Sequence, residues 1–156
     1  MKGVEQVLYS KSSEYAIQAM IYIAEQQREG KLSLIAEIAE ARDIPRHFLA
    51  KLVQVLAKHR LIKSIRGRNG GIKLAKDADK INIENIVVAI DGPPPDDEMC
   101  VIGLEVCTSE APCPLHDDWE LIKNEIHETL SKKNLNQLVD GLIEKRKHLT
   151  SLGIKF

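Results

Sequence analysis

Two short β-capable runs, Leu61 to Ile65 and Ile72 to Leu74, flank Arg66-Gly67-Arg68-Asn69-Gly70-Gly71. An Asn-Gly pair between such runs signals a hairpin turn. The other periodic segments repeat their apolar residues at helical spacing. The expected fold is therefore mainly α with one small β-hairpin, and the neighbours of that hairpin decide the architecture.

Three helices are expected before it. Ser12 to Gln27 carries Tyr15, Ala16, Ala19, Met20 and Ile23 on one face, with Ser12 as cap and Glu14 in the first turn. Ser33 to Ala41 is short, with Ser33 as cap. After the tight connection Arg42-Asp43-Ile44, Pro45 opens a third helix that runs to about His59 and turns Phe48, Leu49, Leu52, Val53 and Leu56 inward. Helix, helix, tight turn, helix and hairpin, in that order, describe a winged helix-turn-helix.

Charge singles out the same region. Residues 45–80 hold ten Lys/Arg and two Asp, a local balance of +8, in a chain whose net charge is −1. A basic segment between acidic ones suggests a face for a polyanion. The major groove of duplex DNA admits one helix, led by its N-terminal residues. Here those include Arg46, His47 and Lys51. The wing would bring Arg66, Gly67, Arg68, Asn69, Gly70 and Gly71 to a minor groove or the backbone, its glycines allowing close approach to phosphates. Lys63 and Lys73 stand on its strands.

Asn82 to Asp91 reads as a fourth helix, ended by Gly92-Pro93-Pro94-Pro95. About twenty residues without either period follow, a length that in a compact protein points to function or disorder. Cys100, Cys107 and Cys113 all fall in or at the end of this stretch, and His116 completes the pattern C-x6-C-x5-C-x2-H. Thiolates and imidazole suit an iron–sulfur cluster or zinc. The spacing is wider than the C-x2-C knuckles of ordinary zinc sites and favours a cluster, with zinc or a thiol redox switch as alternatives. A lone His at a helix start is also an ordinary surface residue. Glu14 is the other candidate fourth ligand. It serves the helix dipole unless its helix packs against a cysteine loop, its own or a partner's.

A long helix from Leu115 to Lys132 carries the stripe Leu115, Trp119, Ile122, Ile126 and Leu130. In a symmetric homodimer this stripe finds its own copy, and two heads one DNA turn apart read an inverted repeat in double-stranded DNA. A last helix is capped by Asn134, with Gln137 three residues on, and runs to about Leu149. The expected organisation is a DNA-binding head over 1–91, a cysteine loop over 92–113, and dimerisation and C-terminal helices over 114–156.

The remaining classes fit less well. No apolar run approaches the ~18–20 residues of a membrane span. The start lacks a basic region followed by an apolar stretch, so no secretory signal and a cytoplasmic location are expected. No nucleophile–base motif, nucleotide loop or supported carboxylate pair suggests an enzyme. A non-DNA iron–sulfur carrier would leave the basic wing unexplained.

The chain resembles the Rrf-two family of bacterial winged-helix transcription regulators. The likeness runs through Ser12-Ser13-Glu14-Tyr15-Ala16-Ile17, Ile38-Ala39, Phe48-Leu49-Ala50-Lys51-Leu52, the wing from Ile65 to Ala75, and Cys113-Pro114-Leu115-His116-Asp117-Asp118-Trp119. It implies a dimeric regulator, expected to be a repressor. Its DNA affinity would follow an iron–sulfur cluster, [2Fe–2S] or [4Fe–4S], that senses iron–sulfur status, redox state or nitric oxide. In the cluster-binding, IscR- and NsrR-like branch, three cysteines matching Cys100, Cys107 and Cys113 are ligands. The fourth ligand matches His116 in IscR-like members and Glu14 in NsrR-like members. The first two cysteines here are separated by six residues where IscR has five. CymR-type members lack the cysteine set and fit less well.

Overall fold

The computed structural model describes residues 8–93 and 100–154. Residues 94–99 of the expected cysteine loop lie outside the described residues, including Pro94 and Pro95 of the expected helix stop. So do 1–7 and 155–156.

Helix α1, Lys11–Arg28, buries Ala16, Ile17, Ala19, Met20, Ile23 and Ala24. Its cap is Ser10, not Ser12: the Ser10 hydroxyl accepts from the Ser13 N–H. The reason is tertiary. The Asp91 carboxylate accepts from the Ser10 N–H at 2.9 Å, the Ser13 hydroxyl at 2.9 Å and the Ser10 hydroxyl, and so pins the chain where the helix begins.

Helix α2, Ile35–Ala41, is entered at Leu34, whose N–H donates to Glu37. Ser33 does not cap it. Ser33 instead exchanges both backbone hydrogen bonds with Ile72 of the wing, at 3.0 and 2.8 Å. Asp43 takes the left-handed conformation (φ 51°) in the tight connection, and the Ile44 N–H closes back on Ala39 at 2.9 Å. Pro45 caps α3, Arg46–Lys58, which buries Leu49, Leu52, Val53 and Leu56. Each such fully buried aliphatic side chain contributes about 1.5–3 kcal/mol. Phe48 is half-buried, its ring edge-on to Tyr15 with centroids 5.8 Å apart.

Strands β1, Ile62–Ile65, and β2, Gly71–Leu74, pair antiparallel from Ile62↔Leu74 to Ile65↔Gly71. That register leaves Arg66–Gly70 as the loop of the hairpin that Asn69-Gly70 signals. The turn inside the loop closes from the Gly70 N–H to the Gly67 carbonyl at 3.0 Å, with Gly67 at φ 115°. A Cβ on Gly70 would lie 2.3 Å from the Ile65 carbonyl oxygen. One on Gly71 would lie 2.8 Å from Leu32 Cβ. These two glycines are required by the wing's own packing, whatever lies opposite them.

After a 3-10 turn at Ala78–Lys80, α4 covers Ile83–Asp91. Asn82 and Asn85 cap it reciprocally. Helix α5 spans His116–Ser131, and α6 spans Leu135–Ser151 behind the reciprocal Asn134/Gln137 cap. Leu135 and Val139 of α6 belong to the same buried core as α1 to α4 and the wing. Helix α5 buries no residue; its main neighbour is α4.

Candidate metal centre and nucleic-acid interface

The cysteine loop departs from α4 and returns at α5. Within it, Thr108 and Ala111 bridge each other, and the Gly103 N–H donates to the Cys100 carbonyl. These turns fold the chain so that the Sγ atoms of Cys100, Cys107 and Cys113 lie within 4.8 Å of one another. All three are buried free thiols and form a cluster separate from the main core. Cys100 Sγ is 3.7 Å from Cys113 Sγ, and Cys107 Sγ is 3.3 Å from Nδ1 of His116. His116 stands at the first position of α5, so helix formation aims its ring at the loop. Its other nitrogen, Nε2, is 3.9 Å from the Glu120 carboxylate one turn on.

The thiols are electrostatically unequal. Burial pushes Cys100 up, but hydrogen bonds from the Leu104 and Ile102 backbone and from the other two thiols outweigh it, bringing Cys100 from an ordinary 9.0 to about 7. At Cys113 the Leu115 backbone pulls down, while burial and the neighbouring thiols push up and prevail. A small, partly open pocket stands in front of the sulfurs. Its walls are the three cysteines, Val101, His116, Trp119 and Lys123.

Of the expected ligands, the structure brings together the three cysteines and His116. Glu14 of the same chain is elsewhere: its carboxylate accepts from Lys11 at 2.9 Å and Gln18 at 3.2 Å. Lys123 was not foreseen. Its one sequence signal is position: His116, Trp119 and Lys123 lie on one face of α5 at helical spacing.

On the head, Arg46, His47 and Lys51 are exposed on the first turns of α3. Lys63, Arg66 and Arg68 are exposed on the wing, and Lys73 is half-exposed. Among the described residues none of these side chains is paired with a carboxylate. By contrast Arg42, at the end of α2, is tied to Glu25 at 2.9 Å, and Glu25 also holds Arg146 of α6. Along α5, Leu115 and Ile122 are exposed, and Trp119, Ile126 and Leu130 are half-buried. Leu121, 64% exposed, adds to this uncovered apolar surface.

Residues 9–141 match the Rrf2 family, described as "Iron-dependent Transcriptional regulator". The chain belongs to this family. As an Rrf2 protein it is a DNA-binding transcription regulator, not an enzyme. It is 34% identical over 136 residues to an HTH-type transcriptional regulator of Aquifex aeolicus, covering 86% of this chain and 92% of that one. It is 33% identical over 132 residues to the regulator IscR of Photorhabdus laumondii, covering 85% and 79%. Among solved structures it resembles T. potens IscR, with a TM-score of 0.73 at 26% identity and 92% of each chain covered. It also resembles CymR, the global cysteine regulator of B. subtilis, with a TM-score of 0.72 at 27% identity, covering 86% and 98%. The winged-helix architecture is common to both comparisons. Among the described residues no helix is long and apolar enough to cross a membrane.

Proposed function

We propose that this Rrf2 protein is a homodimeric repressor whose affinity for an inverted-repeat operator follows an iron–sulfur cluster held by Cys100, Cys107, Cys113 and His116. The observation that carries the reading is the convergence of three buried thiols and an imidazole at one pocket, on the chain between the head and α5. The donor set fits the group: thiolates suit iron, and a histidine nitrogen can complete the set. When bound, the cluster supplies a one-electron couple and a site that oxidants or nitric oxide can attack.

The chain's own residues do the rest. Arg46, His47 and Lys51 enter the major groove at the start of α3. Arg66, Arg68, Lys63 and Lys73 hold the backbone or the minor groove from the wing. Leu115, Trp119, Ile122, Ile126 and Leu130 offer α5 to its copy, which suits a helix that fully buries no residue in the protomer. Loading or losing the cluster changes affinity only if DNA distinguishes the two states. A tenfold response requires about 1.4 kcal/mol.

Anaerobic purification, visible spectra and iron and sulfide counts test the cofactor. Selection of genomic DNA by cluster-loaded and cluster-free protein tests the regulation. Equal binding of one operator by both forms at matched salt would sink the sensing mechanism. A colourless zinc protein would sink the cluster. One observation favours a second reading, a thiol switch: Cys100 and Cys113 are 3.7 Å apart and Cys100 is the more acidic. Peroxide would take two electrons and two protons from this pair, forming a disulfide and water. Mass loss of two hydrogens in cluster-free protein, with changed DNA affinity, is its signature.

A further inference from the structure

We propose that Lys123 sets the redox threshold of the centre, its ammonium favouring the reduced state. The inference rests on the cluster reading above. Among the described residues, Lys123 is the one cation lining the cysteine pocket. It reaches that pocket from the same face of α5 as His116 and Trp119 and is half-buried there. The other described walls, Val101 and Trp119, are uncharged, and the three sulfurs are buried.

Three thiolates make the site strongly negative, and each electron added makes it more so. A cation on the wall interacts more favourably with the more negative state. In a partly shielded pocket that preference is far stronger than in water. Lys123 therefore raises the potential of the one-electron couple. The ammonium carries its charge at that place whatever else it pairs with, and removing it changes the field at the sulfurs in the same direction. Glu120, the nearby carboxylate on the His116 side, acts in the opposite sense, but its side chain is 51% exposed and more heavily screened.

The test is a mediated titration with dithionite of anaerobically purified, cluster-loaded protein, followed by visible absorption. Lys123→Gln should shift the reduced-to-oxidised ratio at fixed potential by about tenfold, equivalent to about 59 mV for one electron. Lys123→Arg should remain near the parent, and Lys123→Glu should shift further than Lys123→Gln. Equal potentials for parent and Lys123→Gln overturn the proposal. So do equal shifts in Lys123→Gln and Lys123→Arg, which would point to packing instead of charge. If Lys123→Gln fails to fold by circular dichroism, the Arg and Glu variants alone decide, since they differ in charge sign. A parent protein that contains no iron overturns the cluster reading together with this one. A normal cluster with an unmoved potential overturns only the role of Lys123.

Discussion

Replacing Arg68 by Gln should weaken DNA binding in a way that depends steeply on salt. Arg68 is exposed on the Arg66–Gly70 loop and has no carboxylate partner among the described residues. Nothing in the fold leans on its charge, so stability should be unchanged. In a symmetric dimer the substitution removes one cation from each wing. Each phosphate contact contributes about 0.9 to the slope of log affinity against log salt. Two lost contacts make the slope shallower by about 1.8. The same relation gives a loss of about 1.8 log units, roughly sixtyfold, at 0.1 M salt and about ninefold at 0.3 M. Fluorescence anisotropy with a labelled duplex across that range measures both. Lys133→Gln, an exposed lysine on the α5–α6 connection, is the control and should change neither quantity. A loss of constant size at every salt concentration would mean that Arg68 reads bases instead of phosphates. An unchanged affinity and slope would refute the wing's contact with DNA.

Further expectations follow from other parts of the fold. Gly70→Ala places a Cβ 2.3 Å from the Ile65 carbonyl and should cost about 1–3 kcal/mol in urea melts while impairing DNA binding; a variant equal to the parent would show the loop free to relax. Ile122→Glu should convert dimer to monomer in sedimentation without unfolding the protomer, because that side chain is exposed there; an intact dimer would remove α5 from the interface. Trp119 is the one tryptophan and lines the cysteine pocket, so removal of a bound cluster should brighten its fluorescence, and Cys107→Ser protein should be bright from the start. Asp91→Asn should cost about 1 kcal/mol at pH 7, a discounted figure for hydrogen bonds to an exposed charge. Burial is the largest single influence and pushes the Asp91 pKa up, but the bonds from Ser10 and Ser13 together prevail and hold it below the ordinary 3.8. The stabilisation is thus present above that value and lost as pH falls through the lower folded value, so parent and variant melts should converge in strong acid.

Much of the architecture was legible because its signals are local. The helix spans follow from apolar spacing and caps, and the Asn134 cap stands where the sequence puts it. Three features escaped because distant residues decide them. Ser10, Ser12 and Ser13 are equally good caps in isolation, and Asp91, far along the chain, selects the start of α1. Ser33 has the composition of a cap for α2, but its backbone pairs with Ile72 of the wing and the helix starts behind Leu34. The cysteine loop has no period to read. Its residue types announced thiolate chemistry, while the meeting of the sulfurs depends on turns that spacing cannot predict. Lys123 was invisible for a different reason: a single lysine on a helix looks like any solvated cation until the pocket beside it is known.

The packing also limits how the pocket can influence DNA. Helix α1 touches α2, α3, α4, α6 and β2, and all of them draw on one continuous core. Close-packed cores deform little under small forces, so a signal that bent α3 relative to α1 would have to break that core. The attachments of the cysteine segment are different in kind. Helix α5 fully buries no residue and meets the head through α4, where His127 pairs with Glu84. The other end of α4 carries Asp91, clamped to the first turn of α1 immediately before the loop departs. If the cysteine pocket signals to DNA as proposed, the joint that would move is the contact between α4 and α5, with each head carried as a rigid body. A small pivot there would alter the spacing of two α3 helices across a dimer while leaving each head intact, which is the kind of change that an operator with fixed half-site separation can discriminate.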